Sequence, residues 1–233
     1  MKKYFIGIGK LIKYNIKIIF GNKFIYFVLS AIAFYIISVV ITLFSNEEIT
    51  PGIGYNIMLI PSMLIIFYPA CFGVQNDSDS KIIEIIFGIP NYRYKVWLVR
   101  LLIAYFICFF IVIFLSQLTN YFIVEIDPIS LTLQVLMPTF FIGMLTFMIS
   151  TILRNSNGTA VLIIVIFFIL NSIGAGLPTS QWNIFINPFD IPLDTNVIIY
   201  KQAIFNDRLI ISISSIIFML VGLSKLQNRE KFI

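Results

Sequence analysis

The stretch "WLVRLLIAYFICFFIVIFLSQL", residues 97–118, decides what kind of protein this is. Beyond Arg100 it holds no Asp, Glu, Lys or Arg. About 20 such residues, rising 1.5 Å each in a helix, cross a hydrocarbon core about 30 Å thick. A charge near the middle would cost about 2.5–3.5 kcal/mol on insertion scales. Five further segments have the same character: 24–44, 54–75, 131–153, 158–177 and 209–226. Their interiors are read as free of charge, with Arg100 and Lys225 at the ends. The composition agrees. Of the 233 residues, 59% are hydrophobic and 12% charged, whereas a soluble domain is about 25% charged. Mean hydropathy is +0.98. The expected fold is an all-α membrane protein with six transmembrane helices, a single domain over residues 1–233.

Several chemistries are excluded. The chain has no histidine, so Ser-His-Asp catalysis and His-ligated zinc are absent. Cys71 and Cys108 both sit in apolar runs, where buried thiols are the natural reading. No GxxxxGK[ST] phosphate loop occurs, so the chain does not bind ATP in that way. Ion-coupled carriers and pumps usually hold an ionisable group within the membrane. With none expected in these spans, uphill transport would draw its energy from another subunit. No catalytic residue, cofactor, metal site or nucleic-acid partner is expected.

Orientation follows from the loop charges. Lys2, Lys3, Lys10, Lys13, Lys17, Lys23, Lys81, Arg93, Lys95, Arg100, Arg154, Lys225, Arg229 and Lys231 fall on one side, 14 of the 16 basic residues. Only Lys201 and Arg208 fall on the other, with seven of the eleven acidic residues. The positive-inside rule places both termini in the cytoplasm, in a multi-pass protein of the plasma membrane. Within residues 1–23, "KYFIGIGKLIKYNIKIIF" puts Lys3, Lys10, Lys13 and Lys17 on one helical face. That predicts an interfacial helix, an elbow braced against lipid head groups. No small-residue cleavage site follows, so no processing is expected. The outer connection, residues 178–208, is rich in aromatics and prolines, which predicts short interfacial or re-entrant helices. Polar residues in the spans, among them Ser62, Gln134, Thr139, Asn171 and Ser172, either join helices by hydrogen bonds or line a path. Pro61, Pro69, Pro138 and the stretch "NSIGAG" (171–176) are candidate bends.

The segment between the second and third spans, "NDSDSKIIEIIFGIPNYRYKVWLVR" (76–100), is the most charged internal stretch. At 100° per residue, Asp77, Lys81, Glu84 and Gly88 fall within about 60° of one another. Ile82, Ile83, Ile85, Ile86 and Phe87 cover the rest. Asp77, Ser78 or Asp79 is expected to cap the start of this helix. Pro90 ends it, and Arg100 is expected to snorkel back to the interface. So apolar a face at a membrane surface must press on lipid, on its own spans or on a partner. Asp77 and Asp79 also invite a magnesium reading, as in membrane-embedded prenyl or phosphoalcohol transferases. The NDxxD spacing fails, because residue 80 is Ser, and no second Asp cluster accompanies it.

Six spans, cytoplasmic termini, a basic elbow and the order Glu84, "IIFGI", Pro90, Arg93, Arg100 together resemble the ABC-2 family of ABC-transporter permeases. Where that family often has Gly-Thr before the glutamate, Lys81-Ile82 stands here. The resemblance implies a coupling helix docked in a groove of a separate ATP-binding subunit. Lys81, Ile82, Ile83, Glu84, Ile86, Phe87, Pro90 and Arg93 would make that contact. It also implies a second permease subunit, identical or homologous, around a shared path, and re-entrant helices before the last span. An exported amphipathic peptide, lipid or drug-like molecule fits the outer loop. The alternatives are a magnesium-dependent membrane transferase and a scaffold or immunity-type membrane protein. The orientation is directly testable. With Cys71 and Cys108 replaced, a Trp182→Cys variant is expected to react with an impermeant maleimide in intact cells. Labelling only after permeabilisation would reverse the topology.

Overall fold

The computed structural model of the chain describes residues 24–45, 48–79, 93–192 and 195–226. They form six helices in an all-α bundle: α1 (Phe24–Phe44), α2 (Pro51–Asp79), α3 (Val99–Phe122), α4 (Pro128–Leu153), α5 (Ser156–Gly176) and α6 (Val197–Lys225). A π-helical turn, Arg93–Leu98, leads directly into α3. All six helices are long and apolar enough to cross a membrane. The chain is a multi-pass helical membrane protein. The elbow read in residues 1–23 and the helix read from Lys81 to Pro90 lie outside the described residues.

Two helices form the centre. In α2 and α4 about two thirds (67%) of the membrane-spanning stretch is buried within the protein, against 11% in α1 and 17% in α5 and α6. α4 packs against α2 and α6, α2 also carries α1 and α3, and α5 leans on α4. Lipid tails are as apolar as Leu, so burial of apolar area does not drive helices together here. Close approach and hydrogen bonds do. Gly143 of α4 leaves room for the Tyr105 hydroxyl of α3, which an added Cβ would meet first, and for the Ile66 side chain of α2, 3.1 Å from that Cβ. The Ser62 hydroxyl meets that of Thr139 at 2.7 Å, joining the same two helices. The Thr132 hydroxyl donates to Ser116 Oγ at 3.0 Å, joining α4 to α3. Tyr35 and Thr119 pair at 3.1 Å, joining α1 to α3. Ser62 and Thr139 are therefore packing groups. Asn171 and Ser172 stay exposed on α5.

The helix starts follow from local chemistry. The Asp127 side chain accepts from Ser130 N at 2.8 Å, with Pro128 as first helical residue. Asn155 accepts from Gly158 N at 3.0 Å and starts α5. Asn196 accepts from Ile198 N at 2.9 Å and starts α6. Each satisfies a backbone donor that the helix itself leaves open.

Three expectations are corrected. The last helix begins at Val197, not near residue 209, and so takes in Lys201, Asp207 and Arg208. No helix occurs among the described residues 177–192; this part of the outer connection runs as consecutive turns. Asp77, Ser78 and Asp79 do not start a new helix; they close α2. An uninterrupted helix satisfies its own backbone groups, which favours prolonging α2 and α6 past their apolar stretches.

The α4–α6 contact supplies a stability test. A Cβ on Gly222 would lie 2.7 Å from the Phe147 ring. Gly222→Val is expected to destabilise the protein by about 1–3 kcal/mol, the usual cost of overpacking, measured by reversible unfolding in mixed micelles. Unchanged stability would mean that the two helices do not meet so closely.

Candidate functional site

Two buried ion pairs stand at opposite ends of the bundle. At the end where α6 begins, the Arg208 guanidinium reaches three elements. Nη1 donates to Asp207 Oδ2 at 2.8 Å, Nε to Gln134 Oε1 of α4 at 3.0 Å, and Nη2 to the carbonyl of Ile186 at 3.1 Å. Asp207 is 1% exposed. Asp207 and Arg208 precede the uncharged stretch 209–226 but belong to the same continuous helix α6. Desolvating an ion pair is tolerable only when further hydrogen bonds satisfy it, as Gln134 and Ile186 do here.

Around this pair the outer connection is fastened to the bundle. Asn187 Nδ2 donates to the Gly52 carbonyl at 2.9 Å, and the Tyr200 hydroxyl donates to the Asn187 carbonyl at 2.7 Å. Asn206 Nδ2 donates to Gln181 Oε1 at 2.9 Å. Phe189 packs on Tyr55 with ring centroids 6.2 Å apart. The Tyr55 hydroxyl is buried beside the Arg208 guanidinium, without a hydrogen bond of normal geometry.

At the opposite end Arg100 Nη1 donates to Asp77 Oδ2. The Arg100 guanidinium also stands 5.1 Å from the Trp97 ring, a cation–π contact. Side-chain exposure is 12% for Arg100 and 5% for Asp77. Arg100 therefore does not snorkel; it ties the end of α2 to the start of α3. Trp97 packs with Ala70, Val74, Leu101, Met144, Phe147 and Leu223, so α2, α3, α4 and α6 meet around it. α2 is held further by Ser150 Oγ donating to the Cys71 carbonyl at 3.0 Å and by Gln75 accepting from Ser156 N. Cys71 and Cys108 are buried and free.

Of the predicted docking residues, Lys81, Ile82, Ile83, Glu84, Ile86, Phe87 and Pro90 lie outside the described residues. The backbone of Arg93 opens the π-helical turn. The Asp77–Arg100 pair thus stands at the root of the segment that the sequence singles out, 23 residues apart along the chain. Sequence reasoning missed Asp207, Arg208, Gln134 and Tyr55 as one group. The available signal was an Asp-Arg dipeptide eleven residues after a good helix cap, Asn196. No family model, curated protein or solved structure matches this chain.

The Asp207–Arg208 pair yields a graded prediction. Arg208→Gln leaves the Asp207 carboxylate buried without its cation and is expected to cost about 3–5 kcal/mol. The double change Asp207→Asn with Arg208→Gln removes both charges and is expected to recover most of that loss. Equal losses in the single and double variants, in the same unfolding assay, would show that the charges are not coupled.

Proposed function

We propose that the chain is the permease subunit of an ATP-driven transporter of the ABC-2 type, docked on a separate ATPase and paired with a second permease copy or homologue. The observation that carries this reading is the pattern Glu84–Pro90–Arg93 on a segment rooted between α2 and α3. A segment used as a handle needs a firm base, and the Asp77–Arg100 pair with Trp97 supplies one. Pulling on the segment then moves the central helix α2 rather than a loose end. Both termini and the segment face the cytoplasm of the plasma membrane in this reading.

Two further observations fit. α5 exposes Asn171 and Ser172 beside Phe168 and Ile169. Polar side chains at membrane depth favour a protein or water neighbour over lipid, as a second permease subunit around a shared path provides. A groove of about 190 Å³ between α2, α4 and α5, lined by Met63, Leu64, Phe67, Ile142 and Ile163 among others, is wholly apolar. It suits the apolar part of an amphipathic cargo. The transferase alternative loses ground, because one of its two candidate metal-binding carboxylates, Asp77, is engaged by Arg100. A second reading, a carrier coupled to ion movement through Asp207 and Arg208, is favoured by the burial of that pair.

The deciding experiment acts on the segment itself. Burying one large apolar side chain is worth roughly 1.5–3 kcal/mol. Changing Ile86 and Phe87 to Ser is therefore expected to release the ATPase in co-purification, while the protein still inserts with six spans. Normal insertion with the ATPase retained would refute the docking role. Transport that persists without any ATPase would favour the ion-coupled carrier.

A further inference from the structure

The outer connection is more than a tether. Over residues 177–186 three successive turns close: Ser180 N donates to the Leu177 carbonyl at 3.1 Å, Asn183 N to Ser180 at 3.0 Å and Ile186 N to Asn183 at 2.8 Å. Asn183 and Asn187 each accept from the backbone N–H two residues on, at 3.1 and 3.0 Å. Local side-chain bonds of this kind stiffen a turn without a helix. The connection is a short rigid strap across the end of the bundle.

We infer that Arg208 is the latch of this strap, holding the Ile186 carbonyl against α4 and α6 so that the outer end of the bundle is closed. The latch deepens the transport reading, on which its purpose rests. Three observations point to a contact built to release. Asp207 neighbours Arg208 on the same helix, so Arg208 can leave the strap without leaving its counter-ion. Release then breaks one hydrogen bond to a neutral carbonyl, not an ion pair. The remaining strap contacts near it, through Asn187, are likewise bonds to neutral groups. Finally, Phe189 packs on Tyr55, whose hydroxyl is buried beside Arg208 without a hydrogen bond of normal geometry, and a buried, poorly paired hydroxyl opposes the state that buries it. Lifting the strap would admit water to it. Arg208 thus completes a closed state that the Asn187, Asn206 and Phe189 contacts also hold, against a built-in opposing cost, as a two-state element requires.

Ile186 provides the reporter, since its side chain is 0% exposed with the strap down. The full chain, purified in detergent with Cys71 and Cys108 replaced, would carry Ile186→Cys and be timed for reaction with a maleimide. Adding the double change Asp207→Asn and Arg208→Gln, which leaves no orphan charge, is expected to speed labelling at least tenfold. Tyr55→Phe, which removes the poorly paired hydroxyl, is expected to slow it several-fold. A chain that keeps native Cys108 as its single thiol reports global unfolding, because that side chain is fully buried in α3. Faster labelling at 186 with Cys108 still protected supports the latch. Unchanged labelling at 186 in the double variant overturns it, as does parallel exposure of Cys108, which would make Arg208 a general stabiliser. Labelling at 186 that Tyr55→Phe does not slow overturns the opposing cost. None of these readouts requires an ATPase or a substrate, so failure of the transport reading would be seen separately.

Discussion

Everything in this bundle depends on how closely α2 and α4 approach. In lipid there is no gain from hiding one apolar helix behind another. Association rests on contacts that lipid cannot imitate. Gly143 of α4 makes room for Ile66 of α2 and the Tyr105 hydroxyl of α3, and the Ser62–Thr139 pair adds directional bonding between α2 and α4. With that seam formed, α1 and α3 find a surface on α2, and α5 and α6 find one on α4.

The same solvent explains where the charges lie. A lone buried ion is expensive, and each of the two buried ion pairs sets an arginine against an aspartate. The Asp207–Arg208 pair is adjacent in sequence, so its two charges stay close together wherever the neighbouring elements move. The Asp77–Arg100 pair joins two helices and so forms only when α2 and α3 are in register. One pair is a portable neutral unit and the other a clasp. That difference in connectivity separates a contact suited to release from one suited to holding.

The six spans were legible because an uncharged run of about 20 residues has few other fates. The start of α6 was not. Lys201, Asp207 and Arg208 depress hydropathy over the first three turns, while the features that make those turns stable are the Asn196 cap and Gln134, 74 residues from Arg208. A hydropathy pattern has no term for a partner on another helix. The same blindness turned Asp77 into a cap and Arg100 into a snorkelling side chain. The hydroxyl groups were read more successfully: Ser62 and Thr139 were assigned to bonding between helices or to a path, and they bond. The re-entrant helices came from the aromatic content of residues 178–208, and aromatics also serve a strap of turns, as Phe185 on Phe167 and Phe189 on Tyr55 demonstrate.

The helices differ in length, and this has a consequence for the membrane itself. α5 has 21 residues, about 32 Å, while α6 has 29, about 44 Å. A hydrocarbon core of about 30 Å matches α5 and leaves α6 in excess. Thickening the bilayer would strand the ends of α5 in acyl chains while α6 and the 29-residue α2 still reached both surfaces. Mismatch energy therefore falls on α5 and spares the central α2, so that bilayer thickness, through sterol or acyl length, biases how α5 tilts about a centre that need not move.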